Sequence, residues 1–389
     1  MYNGLVNVLD LGPFSDEEKS FLRKGLTYKK KISKMMKEAR QLAKRNTCYY
    51  CNKPVESFCK SHSVPQFCLR NIASNGDVLT LNAVIDNPII DIEKGIGEAG
   101  TFRLICRECD STIFSDYENP DNYNTIPTSK MIAQMALKNN LKLISKRLIE
   151  IEFYNILSTI LKNGQVVANE KNYINKLDLN AYIDSYIKAR RSIEKNNRTD
   201  YYICYYEKLD YVVPIAFQGS LCLAYDFDGN VINDIYNTSP EYDAKNIHLS
   251  ILPLKNESVI VMFIDNGDKR YRRFYKQFSK LSLEDKLAAL TFIIFAYSED
   301  MYFSKTIYDE TVNNQALCNV GRTGQDVLSS TPFFDSMEVI RDSYDLNKMH
   351  DIPNLLSEKY KLNKTQVKKF IKTQLYACIK INLYLIICK

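Results

Sequence analysis

Two C-x-x-C pairs constrain the fold of this 389-residue chain more than any other feature of its sequence. The first pair is Cys48 and Cys51, and the second, far along the chain, is Cys106 and Cys109. Each C-x-x-C turn presents two thiolates from one backbone loop, and two such turns supply the four sulfur ligands that a structural Zn²⁺ takes in a tetrahedron. The alternative is four unrelated buried cysteines that pack as small apolar side chains. We expect one zinc site that brings the two segments together.

The composition is that of an ordinary globular protein, with 45% hydrophobic and 25% charged residues. This length has room for two or three domains. Eleven cysteines are too sparse for a disulfide scaffold, which favours metal ligands in a reducing compartment and predicts a cytoplasmic protein. The N-terminus shows no basic-then-apolar leader, so we do not expect export. The apolar segment 375–388 is shorter than the roughly 20 residues of a membrane span and contains Lys380, so we expect no membrane association.

The segment before the first C-x-x-C pair is predicted to be helical and basic. Ser15 and Glu18 form a capping-box pattern at a helix start. Apolar residues then recur at helical spacing and predict a buried face formed by Ile32, Met35, Ala39 and Leu42. The other face is rich in cations, among them Lys29, Lys30, Lys31 and Lys34. Such a surface attracts a phosphate backbone; the alternative is a solvated helix face with no partner.

One of the three histidines lies between the two cysteine pairs, in Ser61-His62-Ser63-Val64-Pro65. The order C-x-x-C, S-H-x-x-P, C-x-x-C-D resembles the zinc-containing branch of the HNH, or ββα-metal, nucleases. In that family a first knuckle precedes a D-H-x-x-P strand, and a second knuckle ends in C-x-x-C-N or C-x-x-C-H at the start of a helix. The resemblance is limited to about residues 48–118.

The resemblance implies a role for each matching residue. His62 takes the place of the general base that removes a proton from water, and Ser61 and Asp110 take the places of the ligands to a catalytic Mg²⁺ or Mn²⁺. Ser61 departs from the family pattern, because a neutral hydroxyl holds Mg²⁺ less well than a carboxylate. Glu118 lies two helical turns beyond Asp110 and is a substitute ligand or a surface residue. The alternatives for His62 are a zinc ligand or a hydrogen-bonded core residue.

Two other patterns in this segment are not assigned to sites. Residues 95–100 spell G-x-G-x-x-G, but the residues that follow predict a strand, whereas a dinucleotide site needs a helix there. These glycines are predicted to form a turn after a hairpin insertion. Cys59 and His62 make a further ligand pair on paper, yet the four knuckle cysteines complete a zinc site, so Cys59 is interpreted as a core residue.

Helical periodicity begins near residue 128. Apolar residues repeat at steps of four and three, which predicts a long helix in the core, with a dimer seam as the alternative: Leu137, Leu141, Ile144, Leu148 and Ile151. A second helix is predicted after Asp178, with an inward face formed by Leu179, Tyr182, Ile183, Tyr186 and Ile187.

Residues 201–265 are predicted to form strands at 201–204, 221–225, 247–251 and 259–264. Asp226-x-Asp228-Gly229-Asn230 is interpreted as a hairpin turn, because it lacks the glycine position and closing glutamate of a calcium loop. His248 alternates with Ile247 and Leu249 and is predicted to be an exposed strand residue.

A segment of alternating cations and aromatic residues follows the predicted sheet. Arg270, Arg272 and Arg273 stand beside Tyr271 and Phe274, a combination that can grip phosphates and stack on unpaired bases. The alternative is a helix whose aromatic residues are buried and whose arginines are solvated. A helix is then predicted from residue 282, with a loop around residues 321–324.

These patterns together predict an α+β protein. Its predicted parts are a basic helical N-terminus at 1–46, a zinc-binding HNH-like ββα-metal module at 47–125, a helical connector at 126–200 and a mixed α/β C-terminal domain at 201–389. The resemblance implies a metal-dependent nuclease acting on DNA or RNA, by analogy a bacterial anti-phage defence or toxin-type enzyme. The alternatives are a non-catalytic zinc-stabilised nucleic-acid-binding protein and a protein-interaction module, with a homo-oligomer or a protein partner engaged through the C-terminal domain.

Overall fold

The computed structural model describes residues 26–84, 92–160, 164–195, 200–235, 237–326 and 341–363. Within them the protein is an α+β protein. The α-helices are α1 (Leu26–Leu42), α2 (Gln66–Ile72), α3 (Leu81–Val84), α4 (Arg107–Ile113), α5 (Ser129–Ile160), α6 (Gly164–Glu194), α7 (Arg272–Ser279), α8 (Leu283–Tyr297), α9 (Tyr308–Thr311) and α10 (Gln315–Asp326). The capping-box pattern at Ser15 and Glu18 and the apolar segment 375–388 lie outside the described residues.

The strands form one large sheet and one small one. They are β1 (Ser61–His62), β2 (Asp77–Thr80), β3 (Glu93–Gly95), β4 (Thr101–Phe102), β5 (Tyr201–Leu209), β6 (Ile215–Leu221), β7 (Ile247–Pro253), β8 (Ser258–Asp265) and β9 (Met301–Phe303). The large sheet has seven strands in the order β3-β2-β9-β6-β7-β8-β5, and every neighbouring pair is antiparallel. It therefore combines strands from the predicted 47–125 and 201–389 parts. The small sheet is the antiparallel pair of β1 and β4.

Helices cover both faces of the large sheet. On one face, strand residues such as Phe217 and Ile251 pack against α8 through Phe292 and Phe295. On the other face, strand residues such as Leu252, Val261 and Phe263 pack in one cluster with side chains of α5 and α2. A sheet buried on both faces reads as a continuous apolar run, and all of β7 is buried.

The covered second face corrects the prediction for His248. Its side chain does point away from the face of Ile247 and Leu249, but it is only 5% exposed. The ring stacks on Phe263 with centroids 4.6 Å apart, and Nδ1 lies 3.2 Å from Asn139 Nδ2 of α5. Burial lowers the pKa of His248 to about 4, so the ring is neutral near pH 7.

The long helix α5 lies in the core, as its periodicity predicts. Every residue from Met131 to Leu141 is buried, because α6 and both sheets surround this part of the helix. Helix α6 begins at Gly164 rather than after Asp178, and Ile187, predicted to face inward, is 38% exposed.

Three other local predictions are wrong. The predicted strand 221–225 overlaps only the end of β6, which begins at Ile215. Residues 321–324, predicted as a loop, continue helix α10, whose Leu317 and Cys318 pack in the core cluster with α8. Leu42 is 57% exposed because it is the last residue of α1 and lies beyond the packed face.

Candidate functional site

The two C-x-x-C pairs meet and form the centre of the candidate site. The sulfur atoms of Cys48, Cys51, Cys106 and Cys109 all lie within 4.8 Å of one another. Zn–S bonds of about 2.3 Å place the sulfurs of a tetrahedral site roughly 3.8 Å apart, so the cluster has the size that zinc requires. The four cysteines therefore fit a metal ion such as Zn²⁺, as the spacing predicts.

Local backbone geometry turns each pair toward the centre. Asn52 follows the first pair with a φ of 58°, a left-handed conformation that asparagine tolerates, and its N–H donates to Cys48 O at 2.9 Å. The second pair begins α4, where Cys106 is the N-cap and its sulfur accepts from Cys109 N at 3.4 Å. Cys106 N also donates to Cys48 Sγ at 3.2 Å. Burial raises the pKa of Cys48, but backbone N–H donors outweigh it and bring the pKa to about 7, which favours the metal-binding thiolate.

The cysteine cluster is tied to a strand pair that carries His62. Backbone hydrogen bonds run from Tyr49 N to Leu104 O at 3.0 Å and from Cys59 N to Ile105 O at 2.9 Å. In the strand pair, His62 lies opposite Thr101, and α4 follows with Asp110 in its first turn. Two strands and a helix thus stand in the order β, β, α around the cluster.

Gly100 closes the turn that leads into β4. Its φ is +67°, and a Cβ atom there would lie 2.7 Å from Ser63 Oγ and 3.1 Å from the Tyr302 hydroxyl. Gly95 ends β3, and residues 96–100 form a turn followed by β4 rather than by a helix, so the interpretation of this glycine pattern as a turn is confirmed. A side chain would therefore clash at this position, and Ser63 N donates to Gly100 O at 2.9 Å beside the pair of β1 and β4.

A backbone carbonyl orients the ring of His62. The Nε2 atom lies 2.9 Å from Ile96 O, and since a carbonyl only accepts, the neutral ring carries its proton on Nε2. Nδ1 is then the proton-accepting nitrogen. Burial lowers the pKa of His62, with a further lowering from Lys138, against the opposing effects of the Ile96 bond, Glu118 and Asp110. The ring is therefore neutral and basic near pH 7.

The predicted metal ligands Ser61, Asp110 and Glu118 lie close together, but they surround the ammonium group of Lys138, a residue that the sequence motifs do not indicate. The ammonium of Lys138, from α5, lies 2.8 Å from Asp110 Oδ1, 2.9 Å from Ser61 Oγ and 3.0 Å from Glu118 Oε1. The nitrogen also lies 3.7 Å from the centre of the Phe114 ring. The Lys138 side chain is fully buried, whereas those of Asp110 and Glu118 are 17% and 30% exposed.

Asp110 is held as a carboxylate by this lysine. Burial raises the pKa of Asp110, but the attraction of Lys138 and hydrogen bonds from Lys138, Ser61 and Cys59 together lower it. The Cys59 thiol donates to Asp110 Oδ2 at 3.4 Å, and Cys59 is not part of the four-cysteine cluster. Asp110 is therefore ionised and paired at neutral pH.

The predicted catalytic Mg²⁺ or Mn²⁺ does not fit these residues. A divalent ion needs several oxygen ligands around one centre, and here an ammonium takes that centre while Ser61 supplies no charge. Within the described ranges, the four cysteines are the single group of three or more metal-type ligands.

The basic residues of α1 are exposed on a helix held by its apolar face. Ile32, Met35 and Ala39 pack against Phe153 and Leu157 of α5, as their spacing predicts. The side chains of Lys30, Lys31 and Lys34 are exposed, and that of Lys29 lies outside the described residues.

The second basic segment is engaged within the chain. Tyr271 and Phe274 are buried, which confirms the alternative of a buried aromatic face in place of a base-stacking surface. Arg270 donates to Asn233 Oδ1 at 3.0 Å, and Arg273 pairs with Asp226 and Asp228. These two aspartates lie in the predicted hairpin turn, which the hydrogen bond from Gly229 N to Asp226 O at 3.0 Å confirms. Arg272 is exposed.

Comparison with family models, with curated proteins and with solved structures found no match for this chain. Among the residues that the structure describes, no helix is both long and apolar enough to cross a membrane. The function is therefore argued from the geometry of the site.

Proposed function

We propose that this protein is an HNH-like nuclease that cleaves phosphodiester bonds of DNA or RNA, with His62 as the general base. The observation that carries the proposal is the position of the His62 ring. It stands on β1 with Nε2 bound to Ile96 O, so that Nδ1 is the basic atom, and the charges of Glu118 and Asp110 act on it. A neutral, oriented imidazole is the group that phosphodiester hydrolysis requires of a base.

The chemistry assigned to His62 is a single proton transfer. Nδ1 takes a proton from the attacking water, the water oxygen bonds to phosphorus, the bond from phosphorus to the leaving oxygen breaks, and the leaving oxygen takes up a proton from solvent. The lowered pKa of His62 supports this role because the base is then deprotonated at neutral pH. Zinc held by the four cysteines would supply folding energy to the module that carries the base.

The exposed cations of α1 support a nucleic-acid substrate. Lys30, Lys31 and Lys34 lie on a helix that leads directly into the first knuckle, where Arg45 covers the Tyr49 ring at 5.1 Å. A phosphate backbone bound along α1 would be carried toward the knuckles and His62. Arg272 and Arg273 are both exposed, but Arg273 pairs with Asp226 and Asp228, so Arg272 is the candidate of the second basic segment for the same contact, and a weaker one.

The second candidate function is a non-catalytic, zinc-stabilised module that binds nucleic acid or another protein. Ser61 and Lys138 favour it, because they replace a carboxylate and a metal ion in the pattern that the resemblance implies. In this case the four cysteines and α1 retain their roles and His62 is a structural residue.

One set of incubations separates the two candidates. Purified protein is mixed with supercoiled plasmid, single-stranded DNA and total RNA, in buffer without added metal and in buffer with Mg²⁺ or Mn²⁺. New strand ends on any substrate support the nuclease. Intact substrates together with retarded protein–nucleic-acid complexes support the binding module.

A further inference from the structure

Lys138 satisfies all the hydrogen-bonding capacity of an ammonium group. Such a group has three donors, and three oxygens, those of Ser61, Asp110 and Glu118, lie within 3.0 Å of its nitrogen. The face of the Phe114 ring lies on another side of it at 3.7 Å, where a ring attracts a cation. The nitrogen is thus surrounded by the kinds of group that hold a cation.

The distances around the nitrogen suit an ammonium and not a divalent ion. Oxygens at 2.8 to 3.0 Å are at hydrogen-bond length, whereas Mg²⁺ holds its oxygens at about 2.0 to 2.1 Å. A divalent ion at the same centre would have to displace a fully buried lysine side chain. That displacement would leave the ammonium charge in the core without its carboxylate partners, which is strongly unfavourable.

We propose that the Lys138 ammonium is the resident cation of this site and stands in place of a divalent metal ion. The site therefore binds no Mg²⁺ or Mn²⁺, and removal of the ammonium creates a divalent-cation site formed by Asp110, Glu118 and Ser61. The metal-binding part of this proposal is independent of the proposed nuclease function, while the part that concerns activity rests on it.

The two carboxylates explain why the vacated place would take a metal ion. With Lys138 present, the two carboxylates and the ammonium group together carry a net charge of about −1. Without it, two carboxylates and a hydroxyl face one small space, and hard divalent cations favour such oxygen ligands. Mn²⁺ is the suitable probe because its bound and free forms are distinguished by electron paramagnetic resonance.

The first test measures Mn²⁺ binding by the full chain. Lys138→Met removes the charge and keeps a side chain of similar length, and Lys130→Met is the matched control on the same helix, because Lys130 pairs with one carboxylate, that of Asp116. We expect wild type and Lys130→Met to bind no Mn²⁺ at this site, and Lys138→Met to bind about one Mn²⁺ per chain. At a Mn²⁺ concentration of about 100 Kd, the Tm of Lys138→Met should rise by roughly 4 °C, with no change in wild type.

A second substitution assigns the bound ion to the site. Adding Asp110→Asn to Lys138→Met should abolish the gain of Mn²⁺ binding. Folded Lys138→Met protein that binds no Mn²⁺ overturns the proposal. If Lys138→Met does not fold, Mn²⁺ binding is compared between wild type and Asp110→Asn. Binding by wild type that Asp110→Asn abolishes overturns the proposal, and absence of Mn²⁺ binding by wild type supports it.

The activity test uses wild type in metal-depleted buffer, with zinc content measured on the same sample. We expect cleavage to proceed without added divalent ion and to change less than twofold when Mg²⁺ is added. Cleavage that requires Mg²⁺ overturns the resident-cation proposal and leaves the nuclease intact. Absence of cleavage under all conditions overturns the nuclease, and the Mn²⁺ measurements still decide the role of Lys138.

Discussion

Lys138 and His248 are both buried basic side chains, and they are held in opposite ways. Lys138 faces two carboxylates, so its charge is compensated inside the protein. His248 faces the Phe263 ring and the amide of Asn139, neither of which carries a charge, and burial keeps it neutral with a pKa of about 4. A buried charge is tolerated when it is paired, and a buried titratable group without a charged partner gives up its charge.

The first prediction follows from His248. Its pKa is about 4 in the folded protein against about 6.5 when unfolded, so the unfolded state binds more protons between these values. Stability should therefore fall as pH drops from about 6.5 to 4, by about 3 kcal/mol from this residue. Urea unfolding across this range should show the free energy of unfolding of wild type falling relative to that of His248→Gln as the pH drops. Parallel curves for the two proteins would contradict a neutral buried His248.

The second prediction concerns the cysteines. Elemental analysis should find about one Zn per chain in wild type and none in Cys106→Ser, because the substitution removes one of four ligands. It should also lower the Tm strongly, since structural zinc commonly contributes folding energy. Cys59→Ser is the control, because Cys59 lies outside the cluster, and it should keep its zinc. Equal zinc contents in the two variants would exclude the four-cysteine site.

Helix α5 connects three regions of the protein along its length. Lys138 points into the candidate site, while the next residue, Asn139, accepts from Gln218 Nε2 at 3.1 Å and contacts His248 in the large sheet. Farther along, Phe153 packs against α1, roughly 20 Å from Lys138 at 1.5 Å per residue. Neighbouring residues on a helix point in different directions, so one helix can hold both the site and the sheet.

The third prediction belongs to α1. Reversing Lys30, Lys31 and Lys34 to glutamate should weaken nucleic-acid binding and flatten its salt dependence, by about 0.9 in the log–log slope for each lost contact with duplex DNA. The variant should fold normally because these side chains are exposed. Reversal of three other exposed lysines, Lys255, Lys280 and Lys359, is the control for net charge. Equal slopes in both variants would assign α1 to a solvated surface.

Local patterns predicted the parts of this structure that depend on local geometry. Each C-x-x-C pair specifies its own turn, and the 3.6-residue period identified Ile32, Met35 and Ala39 as buried. Lys138 was missed because nothing near it in sequence indicates that Asp110 and Glu118 approach it. The only signal in the sequence is that Lys138 stands within an apolar stretch of α5, because a lysine in such a stretch is usually buried together with a residue of opposite charge.

The predictions for the sheet that were wrong, those for His248 and β6, concern features that depend on long-range packing. His248 alternates correctly with its neighbours, but alternation does not reveal whether a helix covers the second face. Strand β6 contains Ala216, Gln218 and Gly219, which have low strand propensity or are polar, so its sequence predicts a strand only weakly. Its position is determined by pairing with β7 and β9.

At the scale of the whole molecule, the site is completed by parts that lie far apart in the chain. Strands β2 and β3 come from the segment between the two knuckles, yet they belong to the large sheet through the pairing of β2 with β9. The cation beside Asp110 comes from α5, beyond the region that resembles the HNH nucleases. The large sheet therefore fixes the four-cysteine segment against the helix that supplies Lys138.

The role of His62 as the base is tested most directly by comparing cleavage by wild type and His62→Ala on one labelled substrate. Loss of the base should slow cleavage by about 10²- to 10⁴-fold, with zinc content and nucleic-acid affinity within twofold of wild type, because a base acts on the transition state far more than on binding. Cleavage by His62→Ala at the wild-type rate, with zinc retained, would contradict the assignment of His62 as the base.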